Sequence, residues 1–176
     1  MTHLTPDQAH LFVHDAILGL LKNESRTTKA VLAAVPNANL DYRPDPSAKS
    51  ANELLRHIAS ADNWFIKSVI DGAFVPGSVK IPDDVKTPAE VVDWYANEHA
   101  KNFEAVTKMS GEQLIQVMDF RGMFKNQAFA FLQAGLLHTI HHRGQLSTYL
   151  RPMGAKVPAI YGESYDSAQA KKAALA

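Results

Sequence analysis

The sequence predicts an all-α chain, a four-helix bundle with long crossover connections. Three observations carry that expectation. Four long segments repeat apolar residues at helical spacing. The first three of them open on a capping box, in which a hydroxyl residue is followed three positions later by Gln or Glu. Strand-like alternation is confined to one short stretch. Facing helices are the arrangement that buries such stripes.

The first helix opens at Thr5-Pro6-Asp7-Gln8, with proline at its first position. Leu11, Phe12, Ala16, Ile17 and Leu20 follow at helical spacing, Leu21, Val31, Leu32 and Val35 continue the face, and Pro36 ends it. Asn37 to Lys49 contains Pro44 and Pro46 and reads as an ordered loop.

Ser50-Ala51-Asn52-Glu53 starts the second helix, which runs to about Asp71 and stops at Gly72. Leu54, Leu55, Ile58, Ala61, Trp64 and Phe65 mark its buried stripe. Ala73 to Lys86, with Pro76, Gly77 and Pro82, is a long connection. Thr87-Pro88-Ala89-Glu90 opens the third helix, whose Val91, Val92, Trp94, Tyr95 and Phe103 precede an end near Met109.

Ser110-Gly111-Glu112 reads as a turn, Ile115 to Phe120 as a short extended piece, and Arg121-Gly122 as a second turn. The fourth helix is expected from Asn126 to Leu150 or Arg151, before Pro152, with Phe129, Phe131, Leu132, Leu136, Leu137, Ile140 and Leu146 apolar. Gly135 and Gly144 lie inside it, each at a cost of about 1 kcal/mol against alanine. Either a close neighbour explains that cost or the helix tolerates it. The whole reads as one bundle domain over residues 1–166, with a frayed tail over 167–176 and no internal repeat.

Composition narrows the function. Of 176 residues, 46% are hydrophobic and 20% charged, which is globular. Lys plus Arg and Asp plus Glu are 18 each, so there is no basic footprint for nucleic acid or for a membrane surface. The chain has no cysteine, which excludes disulfides, thiolate metal sites and a cysteine nucleophile. No apolar run approaches the roughly 20 residues of a membrane helix, and no basic-then-apolar leader opens the chain. The reading is a soluble, cytoplasmic protein without nucleic-acid or membrane partners.

Eight histidines is high for this length, and His138, His141 and His142 crowd together. His138 and His142 are one turn apart, about 40° around a helix and roughly 6 Å along it. Both imidazoles can lean onto one ion at about 2.0–2.1 Å. A third nitrogen is expected from His57, beside Ile58 on the second helix, because bundles build metal sites from facing helices. The competing reading of His57 is a core histidine bonded to a backbone carbonyl. His141 points about 100° away and is expected at the surface or in a helix contact. His10 and His14 form a second such pair, which the polar side of the first helix explains as well. His3 and His99 are expected to be solvated. Asp62, Asn63, Glu98 and Gln145 are candidates to orient the imidazoles or are surface polar residues. Arg143 and Tyr149 either contact an anionic substrate or pair across a helix interface. The tryptophans and phenylalanines are expected in the core.

Three segments carry a family likeness: Leu40-Asp41-Tyr42-Arg43-Pro44-Asp45-Pro46, then Glu53-Leu54-Leu55-Arg56-His57-Ile58-Ala59, then His138-Thr139-Ile140-His141-His142-Arg143-Gly144-Gln145-Leu146 with Tyr149-Leu150-Arg151 and Gly154. Val157-Pro158-Ala159-Ile160-Tyr161-Gly162 adds to it. The chain resembles the DinB/YfiT-like superfamily of metal-binding bundles over roughly residues 8–165. The resemblance implies an up-down-down-up bundle, often a homodimer, with His57, His138 and His142 as metal ligands and zinc or nickel as the ion. It implies relatives that transfer low-molecular-weight thiols or isomerise thiol adducts. The expected function is a metal-dependent enzyme of the thiol-transferase or hydrolase type, acting on a low-molecular-weight thiol and an electrophile, with no general base identified beyond a metal-bound hydroxide. The alternatives are a non-catalytic metal-binding stress-response module and a helical interaction protein whose histidines are incidental.

Overall fold

The computed structural model describes residues 4–175, so His3 lies outside the described residues. Its elements in order are α1 (Pro6–Phe12), a π-helical turn (Val13–Ile17), α2 (Leu18–Ala33), α3 (Ala51–Asp71), α4 (Pro88–Thr107), α5 (Gly111–Ile115), β1 (Val117–Phe120), β2 (Phe124–Gln127), α6 (Ala128–Leu150) and α7 (Tyr165–Ala174). α1, the π turn and α2 follow one path and are the predicted first helix. Buried Ala9, Val13, Ile17 and Leu21 recur every four residues. A regular α-helix would carry that row about 120° around its axis over the twelve residues. The wider π turn takes up the excess and keeps all four facing inward.

The capping boxes at Thr5, Ser50 and Thr87 form as predicted, each with reciprocal side-chain and backbone bonds. Ser110 forms another with Gln113 and starts α5, where the sequence reading had only a turn. β1 pairs antiparallel with β2, Val117 opposite Gln127 and Phe120 opposite Phe124. Arg121 (φ 56°) and Gly122 (φ 75°) make the left-handed turn between them. The second strand was not expected, and it moves the start of the last long helix from Asn126 to Ala128. The tail, expected to fray from Ser167, is helical: Ser164 caps α7, and Arg151 pairs with Asp166 at 3.0 Å.

The four long helices share one plan. α3 packs against α4 and α6, and α2 against the same two. One apolar cluster gathers Ile17, Leu21, Phe65, Val69, Val106 and Phe131; the other gathers Leu32, Leu55, Ile58, Val91, Leu146 and Leu150. Between them every helix contributes buried polar side chains: Thr28 from α2, Asp62 and Asn63 from α3, His99 and Asn102 from α4, Thr139 and Arg143 from α6. α1–α2 and α6 run from the first cluster to the second, and α3 and α4 run the other way. The order is therefore up, down, down, up, and residues 72–87 form the crossover between the parallel α3 and α4.

The two glycines of α6 differ. A Cβ on Gly135 would stand 2.5 Å from Phe65 Cβ, so α3 and α6 approach closely there, whereas one on Gly144 would meet nothing within 4 Å. Trp64 and Trp94 are half-buried at the margins of the two clusters.

Candidate metal centre

The seam between α3 and α6 brings His57, His138 and His142 together. One nitrogen from each lies within 4.8 Å of the others, in a group that could hold a metal ion. The rings stand 4.4–5.1 Å apart at steep angles, so they converge and do not stack. All three are half-buried.

Local structure fixes this geometry. Ser50 caps α3, and buried Leu54, Leu55 and Ile58 set the face of that helix beside which His57 lies. Gly135 lets α6 close on Phe65 one turn before His138. From the interior, Thr139 Oγ1 donates to Asp62 Oδ1 at 2.9 Å and ties the two helices beside His138. His142 Nδ1 lies 2.7 Å from Gln145 Oε1. A carbonyl oxygen only accepts, so Nδ1 carries the hydrogen and Nε2 keeps its lone pair. His138 Nδ1 is buried with no hydrogen-bond partner. A buried nitrogen without a partner is costly, and a coordinate bond would satisfy it.

Burial drives the His57 imidazole down to about 4, helped by the charges of His142 and then Lys49. Burial likewise takes His138 to about 4, helped by His142, His57 and His141. Both rings are therefore neutral at neutral pH, which is the form that ligates.

The other sequence candidates separate clearly. His10 and His14 stack at 4.1 Å between ring centroids, and no third ligand joins them among the described residues. His141 is exposed and outside the group of three. His99 is not solvated: it is 6% exposed, its Nε2 3.9 Å from Asp62 Oδ2, because α4 turns it into the polar layer. Burial lowers its pKa. Asp62 accepts from Tyr95 as well as Thr139. Asn63 bonds Asn102, and Glu98 pairs with Lys101 on the surface. Of the four candidate orienting residues, only Gln145 has a hydrogen bond to one of the three histidines. Arg143 belongs to a helix interface: it is fully buried, its Nη1 pairs with Glu24 at 2.6 Å and donates to Thr28 as well, and its Nη2 donates to the Tyr161 hydroxyl. The Tyr149 hydroxyl donates to Lys49 O at 3.2 Å.

Sequence reasoning missed the surroundings of the site. His57 opens onto two clefts, one reaching Lys49 and Arg56, the other Trp64, Phe120 and Arg121. These residues come from a loop, a helix and the β1–β2 hairpin, and no spacing rule connects them.

The chain matches the DinB family model over residues 14–173. It is 28% identical over 129 residues to the uncharacterized protein YjoA of Bacillus subtilis (strain 168), covering 72% of this chain and 82% of that one. The crystal structure of that DinB-like protein superposes with a TM-score of 0.70 at 23% identity, covering 85% of this chain and 100% of the other. A DinB-like protein from Bacillus cereus gives 0.67 at 23% identity, covering 82% and 95%. The chain belongs to the DinB family.

Proposed function

We propose that this DinB-family protein is a metal-dependent enzyme of the thiol-transfer or hydrolytic type, with His57, His138 and His142 holding one divalent ion, zinc or nickel. The observation that supports this most is the convergence of three imidazoles on one point, with the buried His138 Nδ1 lacking a hydrogen-bond partner. An all-imidazole donor set suits zinc and nickel better than hard cations. Bound there, the ion supplies Lewis acidity or lowers the pKa of a bound water or thiol. The chain's own part is to present neutral His57 and His138, to hold the His142 ring through Gln145, and to leave coordination positions free of protein donors. A low-molecular-weight thiol and an electrophile suit a chain that has no cysteine of its own. We take the protein to act in the cytoplasm as a homodimer; exposed Leu11, Phe12 and Leu20 favour pairing, and light scattering tests it. No helix among the described residues is long and apolar enough to cross a membrane.

The experiment is elemental analysis of tag-free protein beside a His138→Ala/His142→Ala variant. About one zinc or nickel per chain, absent from the variant, is expected. No ion in either after incubation with divalent metals would overturn the site. Because the three histidines bridge α3 and α6, a second reading is a non-catalytic module that the ion stabilises. It predicts a large fall in melting temperature on chelation without turnover of any model electrophile, with or without thiol.

A further inference from the structure

His57, one of the three converging histidines, stands where two clefts of opposite character meet. Both are walled by His57, Ser60 and Val79, so they form one groove between α3 and the crossover. The first has a volume of about 500 Å³ and holds Lys49, Glu53, Arg56, Lys80 and Asp83. Its carboxylates are already engaged. Glu53 accepts from Ser50 N and pairs with Arg43 at 2.8 Å, and Asp83 pairs with Lys80 at 2.9 Å. Arg56 donates to Val85 O at 2.9 Å. The Lys49 ammonium has no carboxylate partner among the described residues, and its charge is felt at His57. Arg56 likewise has no carboxylate partner among the described residues, since a carbonyl leaves its charge uncancelled, so the unmatched charge of this cleft is positive and adjoins His57.

The second cleft, about 310 Å³, is walled by Trp64, Phe65, Pro76 and Phe120, with Arg121 at the hairpin turn. Trp64 Nε1 already donates to Val75 O at 2.9 Å, so the indole offers the cleft only apolar surface. The volume sits at the lower limit of small-ligand pockets and takes one ring or a short alkyl chain.

We propose that the groove binds an amphipathic organic anion, its acid group at Lys49 and its apolar end against Trp64 and Phe120, so that the middle of the molecule passes His57. This deepens the enzyme reading by naming the class of its substrate and rests on that reading for the chemistry, although binding itself needs no ion. Charge complementarity selects the acid end, and the aromatic wall selects the other.

The test is calorimetric titration with 4-phenylbutanoate, 4-phenylbutan-1-ol and butanoate, on metal-free and zinc-loaded protein. Trp64 fluorescence is followed in a Trp94→Phe background. The metal-free protein is expected to bind 4-phenylbutanoate at least about tenfold more tightly than either partial analogue, with a change in Trp64 emission. Lys49→Gln is expected to reduce the acid to the level of the alcohol and to leave the alcohol unchanged. Ala61→Trp, which fills the apolar cleft, is expected to abolish both. Equal binding of acid and alcohol overturns the proposal. So does an acid preference removed by Arg121→Gln but not by Lys49→Gln, and so does one that appears only with zinc and survives Lys49→Gln. Selective binding by a protein that never takes up metal would defeat the metal reading alone. Metal uptake without selectivity would defeat this one alone.

Discussion

Gln145 Oε1 receives the Nδ1–H of His142 at 2.7 Å, three residues along the same helix. The bond fixes both the tautomer and the orientation of the imidazole, and it is made by a side chain that is otherwise exposed. Orientation and folding are thereby separable at this position.

Gln145→Leu is expected to weaken zinc or nickel binding by roughly 10- to 100-fold, the usual cost of losing an orienting partner. Melting of the metal-free protein is expected to stay unchanged. Competition with a chromogenic chelator measures the affinity, and a change of less than twofold would remove Gln145 from the site.

Acid should destabilise the metal-free protein before carboxylates titrate. His57 and His138 are depressed from 6.5 to about 4, and buried His99 is lowered as well. Below about pH 6.5 the unfolded chain binds protons that the folded chain refuses, so stability rises with pH across that window. Their contribution is fully present above about pH 6.5 and declines as the pH falls toward 4. Urea midpoints should be level from pH 8 to 7 and fall between pH 6.5 and 5, less steeply in a His57→Gln/His138→Gln variant. A flat profile would contradict the burial argument.

The glycines of α6 should respond with opposite signs. Gly144→Ala meets open space and should stabilise by up to about 1 kcal/mol through helix propensity. Gly135→Ala drives a methyl into Phe65 Cβ at 2.5 Å and should destabilise by about 1–3 kcal/mol, since overpacking outweighs propensity. Urea denaturation of both decides it, and stabilisation by Gly135→Ala would show that the helices can part at low cost.

Arg143→Met leaves the largely buried Glu24 carboxylate without its cationic partner, with the Tyr161 hydroxyl still donating to it at 2.9 Å. Losing one member of a buried pair typically costs about 3–5 kcal/mol. Adding Glu24→Gln should recover part of that loss. A single variant within about 1 kcal/mol of the parent in urea unfolding would mean that water replaces the guanidinium.

Much of the architecture was legible because its signals are local. The capping residues Thr5, Ser50 and Thr87 declare helix starts within four positions, and apolar spacing declares the inward face. The histidine pair on α6 was legible for the same reason, since one turn of helix fixes its geometry. His57 was legible only as a residue beside the apolar stripe, with a core histidine as the competing reading, and the family resemblance strengthened it, because nothing local says which turn of α3 meets α6. His99 was misread as solvated because its turn mixes polar residues that the bundle buries together. α5 is shorter than two turns and β2 lacks an apolar alternation, so neither rises above its flanks. α7 is built of small and charged residues with no buried side chain, and its ties to Val157 and Arg151 come from outside its own sequence.

The belt of polar side chains across the middle of the bundle also acts as a vernier. Sliding any one helix by a single turn would set Asp62, His99 or Arg143 against hydrocarbon and strip each of its partners, at several kcal/mol for an ion. The apolar clusters add a lock of their own, since only Gly135 lets α6 close on Phe65. The height of His57 against His138 is thus held by residues on the inner faces of the same helices, with Asp62 and Thr139 as the clasp. Substitutions in that belt should shift metal affinity without touching an imidazole.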